Sequence, residues 1–471
     1  MKTNTIITQL LSHHASLRRR WQGIIALCLI LSFPVSAQDN IHQQSQQYEY
    51  PTDPQVLGKL KNWQDLKFGV LFHWGLYAVP GIVESWSICD ENWITRDTTM
   101  TYQQYKDWYW GMADKFNPVK FNPEQWAQVM EGAGMKYMIF TTKHHDGFCM
   151  FDSHYTDFTI ARHAFRDNPK RDVLQYVLQA FRDRNFMIGT YFSKPDWHSQ
   201  YYWWDVYGTK GRNVNYPIDQ HPWRWEQFKK FTYNQMEEVM SRYGAIDIFW
   251  LDGGWVCAEN KQDIDMPAIA RMARSHQPGI IMVDRTIHGP YENYQTPERT
   301  IPDRQLNYPW ESCIPLSNDW GYVKRPDWKS PAKVINTLIE IVAKGGNLVL
   351  GVGPTPEGVI EPEAVSRLEA IGKWLRINGR AIYNTTITPV YNDGNVWFTA
   401  SKDGKRLYAI YMLPEGETLP ATVTWRGNLP RKSVRLLQNG KTLKYKKNDG
   451  QVIVTLPKGL PQQSFAMEME M

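Results

Sequence analysis

Residues 246–255 read Ile-Asp-Ile-Phe-Trp-Leu-Asp-Gly-Gly-Trp. Ile246, Ile248 and Trp250 alternate with Asp247, Phe249 and Leu251, the two-residue period of a β-strand. Asp252 then falls at the C-terminal mouth of that strand, with Gly253 and Gly254 behind it. A carboxyl in that place contributes little to packing. Capping a loop is its structural alternative. The two glycines permit close approach of a ligand or unusual backbone angles.

Outward from this strand, segments of the same kind recur. Phe68 to Phe72, Tyr137 to Thr141, Phe186 to Phe192, Ile280 to Val283 and Leu348 to Val352 are apolar and β-prone. Amphipathic helices lie between them. Asn122 with Pro123 opens one, carrying Trp126, Val129 and Met130 on one face. Val173, Leu174, Val177, Leu178 and Phe181 mark a second. Ser330 and Pro331 open a third, and a fourth closes at Asn378-Gly379. Alternating strands and helices imply a parallel sheet, either a closed (β/α)8 barrel or an open doubly wound sheet. Two features favour the α/β barrel. No glycine-rich phosphate loop follows the first strand, and polar residues sit at the C-terminal ends of several strands. Only six or seven strands are clear, so an irregular (β/α)8-like barrel is expected over residues 55–385. Residues 386–471 change character: short alternating segments separated by glycine turns read as a C-terminal antiparallel β-sandwich.

The N-terminus carries a separate message. Arg18, Arg19 and Arg20 precede an apolar run from Gly23 to Phe33, and Val35-Ser36-Ala37 offers a cleavage site before Gln38. Residues 1–37 are therefore expected to be a signal peptide, and the polar, Gln-rich residues 38–54 a flexible lead-in. A periplasmic or secreted location follows. The segment contains Lys2 and three arginines but no acid, so its removal takes the formal charge from +5 to +1. The remaining chain has no basic patch for nucleic acid and no stripe for a membrane surface. Four cysteines remain, Cys89, Cys149, Cys257 and Cys313, spaced too widely for a zinc knuckle. Aromatic residues reach 14%, with 21 Trp and 25 Tyr, and flat rings with one polar edge suit sugar faces as well as core packing.

The residues able to carry chemistry fall at strand ends. His73 follows the first strand, and His144 and His145 precede Asp146-Gly147 at the end of the next. Imidazoles exchange hydrogen bonds with hydroxyls. Structural bonding and a metal site built from His73, His144, His145 and Asp146 are the alternatives, although no HExxH spacing supports a metal. A glycosidase needs one ionised and one protonated carboxyl group. Asp252 is the candidate nucleophile. Glu292, Glu298 and Glu311 are candidates for the acid. Glu311 is preferred, because Trp310 beside it offers a low-polarity wall that would raise its pKa. Glu298, between Pro297 and Arg299, reads more like a surface ion pair. Arg285 ends the next strand and can bind a sugar or a carboxylate. Glu84 and Trp86, in the loop after the first strand, can meet a hydroxyl and a ring face.

FGVLFHWGLYAVP (residues 68–80), YMIFTTKHHDGFCMFDS (137–153), FWLDGGW (249–255), PWESC (309–313), GGNLVLGVGPTPEGVI (345–360) and WLRINGRAIYNT (374–385) occur in this order. Together they resemble the α-L-fucosidases of glycoside hydrolase family 29 over nearly the whole mature chain. The resemblance implies a barrel followed by a β-sandwich, a retaining double displacement and no metal or other cofactor. It places the nucleophile on Asp252 and the acid/base on Glu311. Sugar contacts fall on His73, His144, His145, Trp250 and Arg285, with Trp255 as a further wall. The family's Glu-Trp pair stands here as Glu84-Ser85-Trp86. Its Tyr or His beside Ser in the third strand is replaced by Phe192-Ser193, so no contact is assigned there. The implied substrate is a fucosylated glycan. An α-L-galactosidase activity in the same site, and a carbohydrate-binding barrel without catalysis, are the competing expectations.

Overall fold

The computed structural model describes residues 48–209 and 211–470. The expected signal peptide and most of the lead-in lie outside the described residues. Among the described residues, no helix is long and apolar enough to cross a membrane.

Helix α1 (Pro54–Leu66) leads into β1 (Phe68–Phe72). The chain continues through α2 (Tyr102–Trp110), α3 (Pro123–Gly132), β2 (Tyr137–Lys143), α4 (Val173–Arg182) and β3 (Met187–Ser193). Next come α5 (Pro222–Arg242), β4 (Ile248–Asp252), α6 (Met266–His276) and β5 (Ile281–Asp284). The last barrel elements are β6 (Glu311–Pro315), α7 (Pro331–Ala343), β7 (Asn347–Val352) and α8 (Pro362–Asn378). The helix starts follow from local chemistry. The side chains of Asn122 and Ser330 accept from the amides of Gln125 and Lys333, and Pro occupies the first turn of both helices, where no amide hydrogen is needed.

Seven strands form one all-parallel sheet in the order β5-β4-β3-β2-β1-β7-β6. The eighth position is filled without a regular strand. Residues 291–299 run through the gap between β5 and β6. Asp284 N donates to Tyr291 O and Asn293 N to Met282 O on one side. Glu311 N donates to Gln295 O and Cys313 N to Pro297 O on the other. This is the irregularity the strand count foreshadowed.

Strand periodicity divides the side chains into two cores. Leu71, Ile139, Tyr191, Ile248, Trp250, Val283 and Val349 point into the barrel, where Leu60 and Trp63 of α1 join the same cluster. Phe72, Phe140, Phe192, Phe249 and Leu251 point outward beneath the helices. The barrel interior is therefore packed, not hollow.

The C-terminal strands form two antiparallel sheets. One is ordered β13-β16-β11-β10-β8, with β9 beside β10, and the other β12-β15-β14. Their ranges are β8 Thr385–Thr386, β9 Asn392–Asp393, β10 Val396–Ser401, β11 Arg406–Tyr411 and β12 Thr422–Arg426. β13 Val434–Leu436, β14 Tyr445–Asn448, β15 Gln451–Thr455 and β16 Phe465–Glu470 complete them. Phe398, Ala409, Trp425, Val434, Val454 and Met467 fill the space between the sheets. Tyr408, Ile410 and Ala466 face the barrel core instead. Trp374 Nε1 of α8 donates to Ser464 O at 2.7 Å across that junction. Sequence reading missed the central strand β16. The four cysteines are buried and unpaired.

Candidate active site

A cavity of about 510 Å³ opens at the C-terminal mouth of the barrel. Its lining includes Asp252, Arg285, His73, His144, Trp250, Glu84, Trp86 and Trp255. Residues from the ends of β1, β2, β4 and β5 and from the loop after β1 therefore meet in one place. His145 stands directly behind them, its Nε2 3.7 Å from Asp252 Oδ2.

Asp252 ends β4, and the chain turns away at once. Gly253 has φ of +88°, and a Cβ there would lie 2.3 Å from Pro195 Cδ. Close packing against the loop after β3 thus requires the glycine. The Asp252 carboxylate accepts from Arg285 Nη1 at 2.8 Å and from the Tyr191 hydroxyl at 2.6 Å. Burial pushes its pKa up, but the Arg285 charge, His145, Tyr191 and the Gly253 amide together outweigh burial and hold the carboxyl below its usual range. Asp252 is ionised wherever the protein is folded at ordinary pH, as a nucleophile must be.

Arg285 is shared. Its Nη2 donates to Glu298 Oε2 at 2.9 Å and its Nε to Thr296 Oγ1 at 3.1 Å, and the guanidinium lies 4.4 Å from the centre of the Trp250 ring. One planar cation therefore holds two of the carboxyl groups that line the cavity, Asp252 and Glu298. Glu298 bridges to Cys313, two residues beyond the start of β6, which brings it toward the barrel mouth.

Glu311 is placed differently from the expectation. It is the first residue of β6 and pairs with Asn347, the first of β7, at the end of the strands away from the mouth. It is fully buried, does not line the cavity, and accepts from Tyr137 Oη at 2.7 Å and Trp250 Nε1 at 3.3 Å. Burial does raise its pKa, to about 7. The same burial that raises the pKa keeps the carboxyl away from the cavity. The Trp310 indole packs within 2.5 Å of the place a Cβ on Gly346 would occupy, deep in the fold.

The three histidines are neutral. Burial comes first, then neighbouring positive groups, and together they hold His73 and His145 well below the ordinary imidazole value, while burial takes His144 to about 4. His144 Nδ1 meets Ser85 Oγ at 2.5 Å and His145 Nδ1 meets Ser193 Oγ at 2.7 Å. Each fixed ring offers its other nitrogen to a neighbour. His144, His145 and Asp252 do place ligand atoms within 4.8 Å of one another. Arg285 already supplies a fixed positive charge to Asp252, which disfavours a second cation there. Asp146, the fourth member of the alternative metal set, accepts instead from Tyr109 Oη at 2.7 Å and Phe148 N at 3.1 Å.

Glu84 is buried, and its Oε1 accepts from the amides of Trp320 and Gly321 at 2.8 and 2.9 Å. Burial raises its pKa to about 7 against those two bonds. Sequence reading missed Tyr191, Arg212, Glu298 as a cavity residue, Arg299 and Trp320. Tyr191 was legible in principle. Strand parity sends Tyr191 and Ser193 to one face and Phe192 to the other, so Tyr191 rather than Phe192 reaches the Asp252 carboxylate.

The description of the α-L-fucosidase family matches residues 35–380. Tissue α-L-fucosidase of Bos taurus is 30% identical over 370 residues, covering 75% of each chain. The structure of α-L-fucosidase isoenzyme 1 from Paenibacillus thiaminolyticus is similar with a TM-score of 0.74 at 27% identity, covering 88% of this chain and 99% of that one. A family 29 α-L-fucosidase of Bacteroides thetaiotaomicron, trapped as a covalent intermediate, gives 0.73 at 25% identity, covering 90% and 97%. With a parallel barrel, a following β-sandwich and a carboxylate-lined mouth, this chain belongs to the α-L-fucosidase family.

Proposed function

We propose that this retaining α-L-fucosidase uses Asp252 as nucleophile and Glu298, rather than Glu311, as acid/base. The observation that carries the assignment is that Asp252 and Glu298 line the same cavity and share Arg285. Asp252 attacks C1 of a terminal α-L-fucosyl unit as the C1–O bond to the leaving group breaks, and Glu298 gives its proton to the departing oxygen. Glu298 then takes a proton from water, which attacks C1 and releases Asp252. The covalent intermediate trapped in the Bacteroides thetaiotaomicron relative supports this double displacement.

The chain's other residues prepare these steps. Tyr191 and Arg285 orient the Asp252 carboxylate. Neutral His73 and His144 present imidazole edges to ring hydroxyls. L-Fucose has a methyl group at C5 where other hexoses carry a hydroxymethyl, and Leu71, Val83 and Trp250 give the cavity apolar wall. The test is stereochemical. Hydrolysis of 4-nitrophenyl α-L-fucoside followed by proton NMR releases α-L-fucose first, with the β-anomer growing in by mutarotation. Initial release of the β-anomer would overturn the double displacement.

The N-terminal segment supports export to the periplasm or medium. N-terminal sequencing of the protein from its producing cells then begins at Gln38. A mature chain beginning at residue 1 or 2 would remove the signal peptide from the reading.

A further inference from the structure

We propose that Trp320 is a positioning residue for the acid/base: its indole N–H fixes Glu298 Oε1 while Arg285 fixes Oε2. The inference rests on Glu298 being the acid/base. Trp320 Nε1 lies 3.3 Å from Glu298 Oε1, and Arg285 Nη2 lies 2.9 Å from Oε2. Each oxygen of one carboxyl group thus has its own donor, from a different loop. A general acid must point its proton along one direction, and errors of 10–20° already weaken a constellation of this kind. A glutamate held at one oxygen only can rotate about its last side-chain bond, which is broad and soft.

Trp320 is able to serve as an anchor because it is itself held on several sides. Glu84 Oε1 takes both the Trp320 and Gly321 amides, tying this loop to the loop after β1. The ring lies against the end of β7, where a Cβ on Gly351 would sit 2.6 Å from Trp320 Cε3, and one on Gly353 would sit 2.3 Å from the Gly321 carbonyl carbon. The glycines of Leu350-Gly351-Val352-Gly353 therefore make the bed on which the tryptophan loop rests. His73 packs at 5.3 Å between ring centres, and the Arg299 guanidinium lies 5.3 Å from the ring centre on its way to Glu298 Oε1, which its Nε approaches at 4.0 Å. Buried Glu84 gains a role here that does not require it to touch the sugar.

The decisive variant is Trp320→Phe, which keeps a ring on Gly351 and His73 and deletes the N–H. Loss of one long hydrogen bond to the acid predicts a drop of up to about tenfold in kcat/KM for an unactivated fucosyl disaccharide. 2,4-Dinitrophenyl α-L-fucoside, which leaves without a proton, loses about twofold or less. Inhibition by L-fucose weakens by less than the loss on the disaccharide, since Phe keeps a ring on the cavity wall beside His73. In a Glu298→Gln background, Trp320→Phe adds nothing further, because the group it positions no longer donates. Equal losses for both substrates, an L-fucose inhibition weakened as much as disaccharide turnover, or a full further loss in the Glu298→Gln background would each overturn the positioning role. If Glu298→Gln alone shows no dependence on the leaving group, the acid/base assignment itself falls, and the inference with it.

Discussion

Replacing Asp252 by alanine lowers turnover of an aryl α-L-fucoside on the order of 10⁴-fold, the scale on which removal of a nucleophile is felt. Azide restores part of the rate and yields β-L-fucosyl azide, because the small anion attacks C1 from the face where the carboxylate stood. The structure makes this variant interpretable. Asp252 ends its strand at the mouth, and its partners Arg285 and Tyr191 have other anchors: Arg285 keeps Glu298 and Thr296, and Tyr191 keeps its packing inside the barrel. The fold should survive the substitution. Activity within tenfold of the parent enzyme would remove Asp252 from the role.

The second large effect separates the two glutamates. Glu298→Ala should lower kcat/KM roughly 10³-fold for an unactivated fucoside, within the usual reach of general acid catalysis, and far less for 2,4-dinitrophenyl α-L-fucoside. With the activated substrate, deglycosylation becomes limiting, so KM falls with kcat, and azide yields α-L-fucosyl azide from the accumulated glycosyl-enzyme. The opposite product anomer distinguishes this variant from the Asp252 variant. Glu311→Gln should leave the leaving-group dependence as it is. Its effect belongs to stability. The folded-state pKa of Glu311 is raised by burial from 4.5 to about 7. The protonated form is therefore the one the fold favours, and that contribution is present below about pH 4.5 and lost as pH rises through 7. Glutamine does not titrate, so thermal melts should show the variant gaining on the parent enzyme between pH 5 and pH 8. A leaving-group dependence that appears in Glu311→Gln and not in Glu298→Ala would reverse the assignment.

A raised pKa is a poor guide to an acid catalyst by itself. Glu84, Asp146 and Glu311 are all pushed to about 7, in each case chiefly by burial. Only Glu84 of these three lines the cavity, and its Oε1 is already committed to two backbone amides. Burial raises carboxyl pKa values throughout a large fold, whereas catalysis also requires a route for the sugar.

Much of the architecture was written in local pattern. Period-two apolar segments ending in His73, Asp252 and Arg285 mark strands with polar residues at one end, and proline-led, capped helices mark what lies between them. These signals are local because strand parity and helix capping depend on neighbours a few residues away. The placement of Glu298 was not local. Residues 291–299 lack strand periodicity, and they become the barrel's eighth wall only because β5 and β6 leave a gap whose backbone groups they satisfy. Trp320 reaches Glu298 from beyond β6 because two glycines at the end of β7 let its loop lie down there. The amino-acid order alone determined the barrel and the sandwich, and it put Asp252 at the mouth of its strand. Closure of the barrel decided that Glu298 and not Glu311 lines the cavity, since hydrogen-bond pairing across a gap is a property of the assembled sheet and of no single segment within it.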